Sequence, residues 1–140
     1  MDLVDVIKKR KSIRKFMAMP VSVEGIRDIL ATARKAPTAG GIRGYEAVIV
    51  EKKISPYHSP LSIVVCAVPD RYIKRYGNRG RELYAVQDAT LFAGYIQLLL
   101  TNCGLDSVWV GAFKERKLKK ELGLPDRLKP IAILQVGYRI

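Results

Sequence analysis

The sequence predicts an α+β fold, a single domain over residues 1–140 in which helices are layered on one small sheet. Three observations predict it. Two helical patterns precede any strand, the strands are joined by connections of differing length, and no Gly-x-Gly-x-x-Gly follows a first strand. Regular βαβ alternation therefore fails, and a doubly wound dinucleotide-binding domain has no support. A chain of 140 residues is long enough to bury one core and too short for two.

The elements follow in order. Asp2 to Arg10 places Leu3, Val6 and Ile7 at i, i+3, i+4 spacing, with Asp2 as N-cap and Lys8-Lys9-Arg10 at the negative pole of the helix. Pro20 interrupts the chain, and Ser22 caps a second helix that runs to about Lys35 with Val23, Ile26, Ile29, Leu30 and Ala33 inward. Ala36 to Gly44 is a loop by composition. Tyr45–Val50 and Leu61–Val68 are rich in β-branched residues and read as strands, the second apolar almost throughout and so central.

Asp70 to Gly80 is polar and basic and reads as a loop or one short helix. Glu82 to Cys103 is apolar nearly all round, which marks a buried helix, and Gly104 is placed to end it. Val108–Phe113 is the third strand, Glu115–Leu122 a short helix stopped by Gly123, and Ile131–Tyr138 the last strand.

Composition removes several function classes. His58 is the sole histidine, so no recognisable metal-ligand spacing exists. It stands between prolines in a loop, which disfavours a Ser-His-Asp triad. Cys66 and Cys103 lie far apart in apolar segments and read as packing residues, with no disulfide expected. Tyr45, Tyr57, Tyr72, Tyr76 and Trp109 read as core or rim. No apolar leader precedes the first charges, and Ala89–Leu100 is short for a bilayer span. The expectation is a cytoplasmic protein without membrane contact. Twenty-five Lys and Arg against 13 Asp and Glu give a net charge of +12, which attracts anions. The surplus is spread along the chain, so nucleic acid ranks last among the candidate partners.

Three segments carry chemistry. Arg10-Lys11-Ser12-Ile13-Arg14-Lys15-Phe16 gathers cations around one hydroxyl, the donor set that holds a phosphate dianion. Ala36-Pro37-Thr38-Ala39-Gly40-Gly41 and the run from Gly104 to Phe113 contain residues small enough for backbone to approach a flat ring. Gly111 and Ala112 are equally small enough for strand–helix packing alone.

In this order, RKSIRKF, APTAGG and NCGLDSVWVGAF, followed by ELGLP and AILQVGY, the chain resembles the nitroreductase family of FMN-dependent oxidoreductases. The likeness covers roughly residues 1–52 and 82–138. It implies a three-layer, mainly antiparallel fold that works as a homodimer. It further implies that Arg10, Lys11, Ser12 and Arg14 bind the FMN phosphate and ribityl end. Pro37, Thr38, Ala39 and Gly41 of the partner subunit would lie against the isoalloxazine, and Val110, Gly111 and Ala112 would run along it. Arg139 would stand in for basic residues that larger relatives carry after this point. No catalytic side chain is expected, because the flavin carries the chemistry. NAD(P)H is the implied transient donor and a small electrophile the acceptor. A flavin- or anion-binding protein without turnover is the alternative. The short stretch between Val50 and the long helix implies a small lid, and with it an open site, loose acceptor specificity or weak FMN retention.

Overall fold

The computed structural model describes all 140 residues. Four antiparallel strands form one sheet in the order β1-β2-β4-β3. They are β1 (Tyr45–Val50), β2 (Leu61–Ala67), β3 (Asp106–Val110) and β4 (Lys129–Gly137). The helices are α1 (Leu3–Lys9), α2 (Val23–Ala33), α3 (Ile73–Arg79), α4 (Ala85–Asn102) and α5 (Glu115–Leu122). Each face of the sheet is covered, which accounts for the nearly continuous apolar run of β2. Ile63 and Val65 face α2 and α4, together with Phe92, Ile96 and Leu100. Val64 and Cys66 face the other way, toward Leu118 of α5 and Leu128. The layers are therefore helices, sheet, helix.

Several local signals act as the sequence predicts. The Ser22 hydroxyl accepts the Gly25 N–H at 3.1 Å and caps α2. At the end of α4, Gly104 takes φ +83°. Leu105 N–H then reaches Leu100 O at 2.9 Å and Gly104 N–H reaches Thr101 O at 3.1 Å, a Schellman closure. Gly123, at φ +63°, ends α5 with Leu124 N–H on Lys119 O.

Others differ. Asp2 makes no side-chain cap, and of the apolar stripe of α1 only Val6 is buried, while Leu3 and Ile7 stay in solvent. The long helix starts earlier than Glu82. A 3-10 turn (Pro69–Tyr72), α3, a π turn (Gly80–Tyr84) and α4 join into one bent rod, irregular at Gly77. The rod is long and apolar enough to cross a membrane by length and composition alone. In this fold it is the central core helix, and Asp88 and Gln97 within it are buried and hydrogen-bonded. It is not buried all round, since Leu91 and Tyr95 are exposed on one side. The third strand is Asp106–Val110, so Gly111, Ala112 and Phe113 leave the sheet.

Candidate functional site

The cationic turn is fixed by backbone hydrogen bonds at the outer edge of β3. Ser12 pairs in parallel with Ser107, and Ile13 N–H donates to Ser107 O at 3.1 Å. Ser107 is itself held from behind, its hydroxyl accepting Gln97 Nε2 of α4 at 3.2 Å. Met17 N–H then bonds Tyr138 O at 2.7 Å, which returns the chain to the end of β4. The backbone is thereby held while the side chains remain free. Arg10, Lys11, Arg14 and Lys15 take part in none of the six ion pairs. The exposed Ser12 hydroxyl also has no internal partner. Uncompensated like charges on a pinned segment repel one another, and an anion relieves that repulsion.

Arg139, unlike the cations of the turn, is paired within the chain. Asp106 Oδ2 accepts its backbone N–H at 3.2 Å and lies 3.5 Å from its Nε. It anchors the last residues against Phe16 and the start of β3, beside the turn.

Along β3 from Ser107, four residues on, the chain leaves the sheet at Gly111, about 13 Å away at strand rise. Gly111 and Ala112 are exposed. A Cβ at Gly111 would meet only the Trp109 indole at 3.7 Å or beyond. Internal packing therefore does not demand glycine here, and the backbone is open to a flat ligand.

The Pro37–Gly41 loop is built by a buried aspartate. Asp88 Oδ2 accepts from Tyr72 Oη at 2.6 Å, Thr38 Oγ1 at 2.7 Å and Ala39 N–H at 3.0 Å. The network continues outward: Thr38 Oγ1 accepts Arg43 N–H at 2.9 Å and Tyr72 Oη accepts Gly44 N–H at 3.0 Å. Each hydroxyl thus donates once and accepts once, and the loop is tied to the core at Thr38, Ala39, Arg43 and Gly44. Burial, then the bond to Asp88, holds the Tyr72 phenol above its ordinary range. The Thr38 hydroxyl is engaged inside the protein, whereas Pro37 and Gly41 are exposed. Gly40, at φ +56°, accepts Arg75 Nη1 on its carbonyl oxygen at 3.1 Å.

The two ends of this constellation are far apart in one chain. The loop is rooted at β1 and the turn lies beyond β3, at opposite sheet edges. Four interstrand spacings, about 19 Å, separate them across the sheet. Through Tyr45↔Ala67↔Lys129 and Ser107↔Val136, roughly 23 Å more separates their anchors along the strands.

The profile of the nitroreductase family matches residues 7–63 and 54–138, nearly the whole length. The chain belongs to the nitroreductase family. A nitroreductase family protein from Clostridium difficile 630 is 32% identical, with a TM-score of 0.87 over 99% of this chain and 85% of that one. An FMN-dependent nitroreductase from Clostridium difficile R20291 is 26% identical, with a TM-score of 0.80 over 97% and 87%. An NADH dehydrogenase of Thermus thermophilus is 25% identical over 170 residues, covering 93% of this chain and 83% of that protein. The α+β fold with its four-stranded antiparallel sheet is that of this nitroreductase family.

Two residues of the site escape the sequence reading. Asp88 and Tyr72 organise the loop, yet no motif marks them. The available signal was a single acid, Asp88, in the otherwise uncharged and mostly apolar run from Ala85 to Ala93, since a buried acid requires partners.

Proposed function

We propose that this nitroreductase family member is an FMN-dependent oxidoreductase, passing electrons from NAD(P)H to a small electrophile such as a nitroaromatic or a quinone. The observation that carries the reading is the unpaired cationic turn pinned at one end of β3, with the open Gly111–Ala112 backbone at the other. A phosphate at the first and a flat ring at the second fit that separation. Arg10, Lys11, Arg14 and the Ser12 hydroxyl would hold the phosphate through charge-assisted hydrogen bonds. Val110, Gly111 and Ala112 would lie along the ring, where a main-chain N–H would polarise it. Bound FMN supplies two-electron transfer chemistry. The protein binds, orients and leaves a face open for donor and acceptor in turn.

The proposal includes a homodimer. One chain holds the turn and the Pro37–Gly41 loop too far apart to cradle one ring, so the loop is read as serving the site of a second copy. Adding FMN to the purified protein and following the flavin spectrum tests this function. The expected outcome is stoichiometric FMN that NADH or NADPH bleaches anaerobically. Arg10→Ala is expected to weaken FMN binding by about 1.5–3 kcal/mol, the value of a charged hydrogen bond, without lowering Tm. Unchanged affinity would place the phosphate elsewhere. Bound FMN that neither nucleotide reduces would favour a flavin-binding protein without turnover.

A further inference from the structure

On the face of the sheet opposite α4, the β1–β2 connection folds toward α5 and leaves a cleft of about 560 Å³. Its floor is apolar, formed by Ile54, Val110, Phe113 and Ile133 among others, and its rim carries Lys52, Lys53, Lys114 and Lys117 with His58. Against four lysines the cleft has one acid, Glu121, which lies 4.0 Å from Lys117. Lys52, Lys53 and Lys114 take part in no ion pair.

The wall bearing two of these lysines is built rather than loose. Gln135 is fully buried beneath it. Its Oε1 accepts Tyr57 N–H at 2.9 Å, and its Nε2 donates to Ile54 O at 2.9 Å and to Ser62 Oγ at 3.2 Å. His58 N–H closes the turn on Ile54 O at 3.0 Å. A buried amide that bonds this loop twice, at Tyr57 and Ile54, and β2 once, at Ser62, ties the loop to the sheet. The opposite wall is α5, seated through Leu118.

A concave apolar floor under unneutralised ammonium groups suits one chemistry: a flat apolar body carrying a carboxylate or sulfonate. Neither a neutral apolar ligand nor a free inorganic anion would use both features. We propose that this cleft binds small aromatic anions, with Lys53 and Lys114 taking the charged group from opposite walls. The cleft also shares Val110 and Ala112 with the run assigned above to the flavin ring. On the reading that FMN lies there, the cleft selects anionic acceptors; that clause rests on the proposed function, whereas the binding itself does not.

The test uses the full chain, with and without FMN, titrated with 2-naphthalenesulfonate and with neutral 2-naphthol while backbone amide NMR shifts are followed. The sulfonate is expected to move His58, Phe113 and Lys114 and to bind about tenfold tighter than the naphthol. The Lys53→Gln/Lys114→Gln variant should lose that advantage at unchanged Tm, as should the wild type in high salt. Equal binding of the two probes, an unaffected variant, or shifts confined to Arg10–Lys15 would each overturn the proposal. If FMN binds and turns over, 4-nitrobenzoate should exceed nitrobenzene in kcat/KM, and the double variant should erase the difference; an unchanged ratio would overturn the selection of acceptors. Failure of FMN to bind would sink the oxidoreductase reading and leave the naphthalenesulfonate result standing.

Discussion

Two buried tyrosines show how the same group can stabilise or burden the fold. Tyr72 donates to Asp88 and accepts from Gly44, so its hydroxyl is fully used. Tyr45 is equally buried, stacked on Phe92 at 4.2 Å with the Arg34 guanidinium 5.3 Å from its ring centre, but its hydroxyl has no partner. Removing a satisfied hydroxyl strands its neighbours, whereas removing an orphan one relieves a desolvation cost. Tyr72→Phe is therefore expected to lose about 1–2 kcal/mol in urea unfolding, and Tyr45→Phe to be neutral or gain up to about 1 kcal/mol. Burial raises both phenols. The folded protein keeps these protons at a pH where unfolded tyrosines, near 10, release theirs. The stabilising contribution is thus complete below about pH 10 and declines above it. Two of the seven tyrosines should ionise late in an alkaline absorbance titration, with Tm falling over the same range. Seven early, equivalent tyrosines would contradict the buried network. The Cys66 thiol is a parallel case, pushed up to about 12 by burial and then by Glu46, and should resist alkylation that the exposed Cys103 accepts.

At the level of elements, the Asp88 network makes the Pro37–Gly44 loop a dependent of the core rod. Gly44 is buried where any Cβ would run into the Tyr72 ring. Gly44→Ala should displace that ring, loosen the loop and cost about 2–4 kcal/mol, since backbone and aromatic cannot both stay. Asp88→Asn, which keeps the shape but weakens three bonds to one oxygen, should cost about 1–3 kcal/mol. Hydrogen exchange at Ala39 and Arg43 reads the loosening directly in both variants, and unaltered protection would refute the dependence.

What was legible here was local chemistry. The Ser22 cap, the glycine stops at 104 and 123, and the two-sided burial of β2 are each decided by neighbours in sequence. What was not legible depends on distant partners. Val108–Phe113 reads as a strand because it is apolar, but Phe113 is apolar in order to pack beneath α5, and pairing with β4 ends at Val110↔Ile133. Asp106 and Ser107 look too polar for a strand until Arg139, Gln97 and Ile13 are seen holding them. The basic stretch before Glu82 reads equally as a loop or one short helix, and the choice falls to helix through Tyr72 in the core and Tyr76 set edge-on to Tyr84. Of the candidate site, the turn and the Gly111–Ala112 exit were visible as motifs, and the aspartate that shapes the loop was not.

On the scale of the molecule, the single chain leaves apolar surface where a buried helix face was expected. Leu91 and Tyr95 stand one turn apart on the outer side of α4, and α1, which packs on α4, exposes Leu3, Val4 and Ile7. Half of the ten exposed large hydrophobic residues thus come from two contacting helices. Isolated exposed apolar residues require no explanation, whereas several on two helices that pack together are surface that a partner can cover. The proposed cradle makes the same demand, because the loop and the turn it assigns to one flavin lie at opposite sheet edges of one copy. If both follow from one dimer, a charge on this face should abolish assembly and cofactor binding together. Leu91→Asp is therefore expected to sediment as a folded monomer, with wild-type far-UV circular dichroism, and to bind FMN at least tenfold more weakly even though every residue of the cationic turn is intact. The loss follows from removing half of the cradle rather than any phosphate contact. Arg10→Ala provides the converse, a dimer with weakened FMN. A Leu91→Asp monomer that binds FMN as tightly as the parent protein would show that one chain suffices, and the proposed division of the site between two copies would fall.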